Sequence, residues 1–133
     1  MKKLLILLVL PLSGCALYDA YFMAKYDTNE YALVNSIKTK SFLAQSECGD
    51  RNKTIANVTD MYNTSYQFRN FTFHIPKNDD ATKMAEKLVK LTGDTKEFYT
   101  KNEKVSEVFC KSKLQQIFKS ADEIQSVIGR KPR

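Results

Sequence analysis

The stretch YDTNEYALVNSIKTKSFLAQSEC, residues 26–48, decides how the rest of the chain is built. Within it Leu33, Ile37, Ala44 and Cys48 recur at steps of four and seven, with Val34 beside them. Glu30, Asn35, Lys38, Lys40 and Gln45 fall on the other faces. An apolar stripe at this period marks a helix that buries one side and wets the other. Gly49 follows at once, where a helix end favours a residue without a Cβ. The spacing predicts a first helix over 26–48.

Three further segments follow the same pattern. From Asn52 to about Phe73, the residues Ile55, Val58, Tyr62, Tyr66 and Phe73 make a helical stripe, with Arg69 inside it. The series Tyr66, Phe68, Phe71, Phe73 and Ile75 also suits a short strand, but no other segment alternates to pair with it. A helix that stops before Pro76 is the better reading. Asn78-Asp79-Asp80 supplies N-caps for a third helix, whose buried side is marked by Ala81, Met84, Ala85, Leu88, Leu91 and Phe98. Thr92-Gly93-Asp94 resembles a break, yet the stripe keeps its phase across it, while residues 100–104 carry no apolar side chain; the turn belongs there. The last helix is expected from Lys104 to Ile128, with Val105, Val108, Phe109, Ser112, Ile117, Ala121, Ile124 and Ile128 on its core face and Gly129 and Pro132 as its stop. The segments 26–48, 52–74, 79–101 and 104–128 are nearly equal, each about 35 Å long at the α-helical rise. Short links between equal amphipathic helices imply antiparallel neighbours, hence an all-α, up-down four-helix bundle. Four glycines and three prolines are too few for a many-stranded β fold.

The first fifteen residues carry a different message. Lys2 and Lys3 precede the unbroken aliphatic run Leu4 to Leu10, Pro11 interrupts it, and Leu12-Ser13-Gly14-Cys15 closes it. That order is the grammar of a secretory signal. The run is seven residues, or roughly nine with Pro11 and Leu12, against about 20 for a spanning helix. Leu12-Ser13-Gly14-Cys15 also resembles the lipobox of bacterial lipoproteins. The resemblance covers about a tenth of the chain and points to no narrower family. It implies cleavage after residue 14, a diacylglycerol on the sulfur of Cys15 and an acyl chain such as palmitate on the new amino terminus. Ala16, where an inner-membrane retention signal usually has Asp, implies sorting to the inner leaflet of an outer membrane, facing the periplasm. The expected organisation is a signal peptide over 1–14, a lipidated membrane-proximal segment over 15–25, the helical bundle over 26–128 and a basic tail over 129–133. The rival is an ordinary secretory signal, in a eukaryotic secreted protein above all. Asn52-Lys53-Thr54, Asn57-Val58-Thr59, Asn63-Thr64-Ser65 and Asn70-Phe71-Thr72 would then be glycosylation triplets.

With Cys15 acylated, Cys48 and Cys110 remain, and two cysteines in an exported chain read as one disulfide. There is no CxxC, and His74 is the only histidine, so a metal pair or redox couple has no support. A closed loop of about 62 residues corresponds to roughly 4 kcal/mol in the chain-entropy treatment. The bundle offers an independent check: Cys48 ends helix one and Cys110 lies in the first turns of helix four, both at the end farthest from the membrane.

Composition bounds the function. Removing Lys2 and Lys3 lowers the formal charge from +6 to about +4, too mild and too mixed with acids for nucleic-acid binding, though suited to anionic headgroups or wall polymers. Tyr18, Tyr21, Phe22 and Tyr26 fall at helical spacing, either at headgroup level or as part of the core. Arg130, Lys131 and Arg133 are expected at the membrane end, in contact with anionic lipid or simply solvated. Seven tyrosines and eight phenylalanines exceed what a small core needs; Tyr62, Tyr66, Phe68 and Phe71 are the candidate interaction patch, with core filling as the alternative. No G-x-S-x-G, P-loop or dinucleotide pattern occurs, and His74 has no helical partner. The expectation is a non-enzymatic module without cofactor or metal. It would dock an envelope protein, as part of a secretion, conjugation or exclusion system. The alternatives are a ligand-binding or inhibitory lipoprotein, holding a small molecule, cell-wall fragment or enzyme, and a phage lysis lipoprotein.

Overall fold

The computed structural model describes residues 23–133; the signal segment, Cys15, Tyr18, Tyr21 and Phe22 lie outside the described residues. Those described form four helices and no strand: α1 Thr28–Leu43, α2 Arg51–Phe73, α3 Asp79–Lys101 and α4 Glu107–Gly129. A 3-10 turn, Ala44–Glu47, carries α1 on toward Cys48. No helix among the described residues is long and apolar enough to cross a membrane.

Local chemistry sets the boundaries. Asp27 Oδ1 accepts the N–H groups of Asn29 and Glu30 at 2.8 and 3.0 Å, so α1 starts at Thr28 rather than Tyr26. Asp50 caps α2 through the Lys53 N–H. Ser106 caps α4 through the Phe109 N–H, which delays that helix from the expected Lys104 to Glu107. The expected role of Gly49 is corrected: α1 ends by tightening into the 3-10 turn, and no described glycine is left-handed. A Cβ on Gly49 would instead lie 3.1 Å from Oε1 of Glu107. α3 runs unbroken through Gly93, where a Cβ would lie 3.2 Å from Cε2 of Tyr62. The left-handed residue among those described is Lys77, φ 62°, in the turn after Pro76.

Contacts at the two ends give the topology. At the distal end Cys48 and Cys110 are disulfide-bonded, with Cα atoms 5.7 Å apart. There too the Arg51 guanidinium donates to the carbonyls of Asn102 and Tyr99, both at 2.7 Å. At the proximal end the Tyr26 N–H donates to the Pro132 carbonyl at 2.8 Å, and Asn78 donates to Glu30 at 2.7 Å. The end of α1 thus meets the start of α4, and the start of α2 meets the end of α3. Each helix packs against its neighbours in sequence, and α4 closes the ring against α1.

Thr64 and Gln125 apart, the buried positions follow one rule in all four helices. They are Glu30, Val34, Ile37, Ser41, Ala44 and Cys48; Thr54, Val58, Met61, Ser65, Phe68 and Thr72; Ala81, Ala85, Leu88, Thr92, Thr95 and Tyr99; Cys110, Leu114, Ile117, Ala121, Ile124 and Ile128. Every set steps 4, 3, 4, 3, 4, the a/d seam of a heptad repeat, which packs knobs into holes with a left-handed supercoil. The antiparallel register stacks them into six layers of four. Ser41, Met61, Thr92 and Ile117 share one; Val34, Phe68, Ala85 and Ile124 share another. Small residues sit across from large ones, the arrangement that lets such layers interdigitate.

This seam corrects several expected faces. Tyr66, Phe73, Phe98 and Val108 are exposed, and Ser112 is outside the core. Thr54, Ser65, Thr72, Thr92, Thr95 and Tyr99 take the buried places instead. The buried hydroxyls donate to carbonyls of their own helix: Ser65 to Met61 at 2.7 Å, Thr92 to Leu88 at 2.8 Å, Thr95 to Leu91 at 2.7 Å and Thr72 to Arg69 at 3.0 Å. A hydroxyl satisfied that way buries a methyl-sized group without an orphaned polar atom.

Reducing the Cys48–Cys110 bond should lower the unfolding free energy by about 4 kcal/mol while far-ultraviolet circular dichroism stays helical, as read by urea titration with and without reductant. Ala85→Leu, which drives extra methylenes toward Phe68, should cost about 1–3 kcal/mol in the same titration.

Candidate functional site

The proximal end holds the chemistry that the apolar pattern does not account for. Glu30 is fully buried at the start of the α1 seam, and Lys131 is 7 % exposed beside it. Lys131 Nζ donates to Oε2 of Glu30 at 2.5 Å and to Oδ1 of Asn78 at 2.6 Å. Asn78 Nδ2 donates to Oε1 of Glu30 at 2.7 Å and to the Thr72 carbonyl at 3.3 Å. The charges are paired and the amide satisfied at both ends, the condition under which a buried ion pair is tolerated. Asn78 precedes α3 where a capping side chain was expected, but it makes no cap bond; its amide is turned into the network.

Four parts of the chain meet there: the start of α1, the end of α2, the turn before α3 and the C-terminal residues. The clasp places the last residues across the entry of the chain. Tyr26 N–H holds the Pro132 carbonyl, and the Arg133 guanidinium lies 5.4 Å from the Tyr26 ring centroid, within cation–π range. Ala24 is buried, so the packed unit begins before Tyr26. Between this segment and the α2–α3 turn lies a cleft of about 370 Å³ lined by Met23, Lys25, Tyr26, Ile75, Pro76 and Lys77, among others.

The expected membrane contacts therefore divide. Lys131 is corrected: burial on Glu30 and Asn78 removes it from any surface role. Arg130 is exposed and donates to Ser126 at 2.9 Å. Arg133 is exposed beside the Tyr26 ring, while Tyr18, Tyr21 and Phe22 are outside the described residues.

The expected aromatic patch is corrected in the same way. Phe68 is fully buried in the layer of Val34 and Ala85, because position 68, not 66, falls on the heptad seam. Tyr66 is exposed, and Tyr62 and Phe71 are partly buried. Tyr62 lies along α3 at Gly93 in an open groove of about 530 Å³ that also takes in Val89, Lys96 and Thr100. Lys96 Nζ lies 4.8 Å from the Tyr62 ring centroid. A second apolar area is larger in exposure: Phe42 and Leu43 on α1 are 61 % and 62 % exposed, and Phe42 packs against Phe118 of α4 with centroids 6.0 Å apart.

His74 is exposed at the end of α2, edge-on to Phe73 at 5.3 Å. Burial pushes the Tyr99 phenol above its ordinary range, with Arg51 acting the other way; a phenol held neutral is poorly suited to act as a base. Among the described residues no group of three His, Cys, Asp or Glu side chains could hold a metal ion. Sequence reasoning missed Glu30, Asn78 and Lys131. The available signal was the place of Glu30 four residues before Val34 and seven before Ile37, in phase with the seam. No family model, curated protein or solved structure matches the chain.

Glu30→Ala or Lys131→Ala alone strands a buried charge and should cost about 3–5 kcal/mol, whereas the double change Glu30→Leu/Lys131→Met should cost less than either. Urea unfolding of the three variants checks the order.

Proposed function

We propose that this chain is a small exported lipoprotein, anchored through Cys15 to the periplasmic face of an outer membrane, whose bundle acts as a non-enzymatic interaction module. The observation that carries the proposal is the pairing of the remaining cysteines. Cys48 and Cys110 are bonded, which suits an oxidising compartment, and this leaves Cys15, in Leu12-Ser13-Gly14-Cys15, for the lipid. Two or more acyl chains on one residue give durable attachment where a single chain does not. The surface for an envelope partner is the exposed apolar area of Phe42, Leu43 and Phe118 rather than the patch around Phe68. Apolar contact areas of this kind, rimmed by charge, are typical of protein interfaces.

A second reading, a lipoprotein that holds a small molecule or cell-wall fragment, draws on the Tyr62–Gly93 groove. The layers fill the space between the helices, so such a ligand would lie on the outer face of α2 and α3, against the Tyr62 ring.

Cys15→Ser should abolish palmitate incorporation and move the protein out of the detergent-extracted outer-membrane fraction. Labelling that persists in the variant would refute the anchor. Phe42→Asp with Leu43→Asp should leave the urea midpoint almost unchanged, as exposed positions do, while removing cross-linking to a partner in intact cells; unchanged cross-linking would exclude this surface.

A further inference from the structure

We propose that the proximal cleft binds the phosphate headgroup of anionic phospholipids, so that the bundle stands on the bilayer by this end instead of swinging freely on its anchor. The inference rests on the lipid-anchored reading of Cys15 and adds a second, non-covalent contact to it.

Two observations carry it. The first is charge placed by structure. Lys25 and Lys77 line the cleft, and Arg133 is held against the ring of Tyr26, itself a lining residue, by the buried Lys131 and by the bond from Tyr26 to Pro132. Two cations in the lining and a third beside it thus accompany the apolar side chains of Met23, Ile75 and Pro76, a combination that suits a headgroup and the first carbons beneath it. The acid in the cleft, Asp27, has its Oδ1 turned to the N–H groups of Asn29 and Glu30. Asp79 and Asp80 lie nearby in the first turn of α3, where the helix dipole offsets part of their charge.

The second observation is the length of chain outside the described residues. Seven residues separate Cys15 from Met23, so even a fully extended path keeps Met23 within about 29 Å of the acylated residue. The cleft begins at Met23, so the covalent anchor keeps this end nearest the headgroups. The larger groove at Tyr62, with its Lys90 and Lys101, lacks the second feature: it opens on the outer face of α2 and α3, away from the entry of the chain.

The test uses the full mature protein on vesicles of phosphatidylcholine alone or doped with phosphatidylglycerol. Exposed lysines are labelled with an amine-acylating reagent and read by peptide mass spectrometry. Lys25 and Lys77 should lose reactivity several-fold on the anionic vesicles relative to the neutral ones, with Lys90 and Lys101 unchanged. Arg133→Glu should weaken that protection at least about fivefold, the contribution of one basic residue near an anionic surface. Lys25→Glu, at an exposed position, should do the same at Lys77. Equal reactivity on the two vesicle types would overturn the proposal, and so would equal protection by inorganic phosphate on phosphatidylcholine, which would make the cleft a free-anion site. Flotation with phosphatidylcholine alone reports the anchor separately. Protein that floats there but shows no headgroup-dependent protection keeps the anchor and loses the cleft. Protein that floats only with phosphatidylglycerol, with Lys25 and Lys77 protected, keeps the cleft and loses the anchor.

Discussion

The buried ion pair between Lys131 and Glu30, completed by Asn78, is the constraint on which the proximal half of the molecule depends. It occupies the last layer of the heptad seam, where three other helices contribute Thr72, Ala81 and Ile128. Burying two charges costs several kcal/mol each, and their attraction recovers this only when the remaining lone pairs and protons are also satisfied. Asn78 supplies those bonds at the expense of its own helix cap. An apolar pair would hold the layer as well or better. What the ion pair adds is a defined place for the C-terminal residues, since the cation that pairs with Glu30 comes from them, and with it a defined place for Arg133.

The two ends of the bundle are consequently unlike. The distal end is closed by a covalent bond between α1 and α4, which acts by restricting the unfolded chain. The proximal end is closed by a polar network that orders a tail. Between them the layers are filled by alternating small and large side chains, so recognition is left to the outer faces and the ends. The covalent lock sits at the end away from Met23, and the basic cleft sits where the described chain begins.

The helices were legible because their limits are local. Pro76 and the apolar gap at residues 100–104 each act within a turn of where they stand, and the helices fall within a few residues of the expected spans. The pairing of Cys48 with Cys110 was legible from the cysteine count and, independently, from helix length and topology. The faces were less so. On α2 the large rings of Tyr66 and Phe73 pointed to one stripe while the seam ran through Thr54, Ser65 and Thr72. Size and hydrophobicity weigh a tyrosine above a serine, yet a serine bonded to its own helix fits a crowded layer and a ring does not. Lys131 was misread for a related reason: a basic residue near a chain end is usually solvated, and nothing local reveals a buried carboxylate 101 residues away.

The proposed export and lipid attachment meet the closed bundle in the state of the three cysteines. Peptide mapping of protein extracted from its native membrane, alkylated and digested without reductant, reads all three at once. The account predicts a linked pair of peptides containing Cys48 and Cys110, and an amino-terminal peptide that begins at Cys15 and carries the mass of its lipid. Alkylated Cys48 and Cys110, or Cys15 joined to either of them, would contradict it.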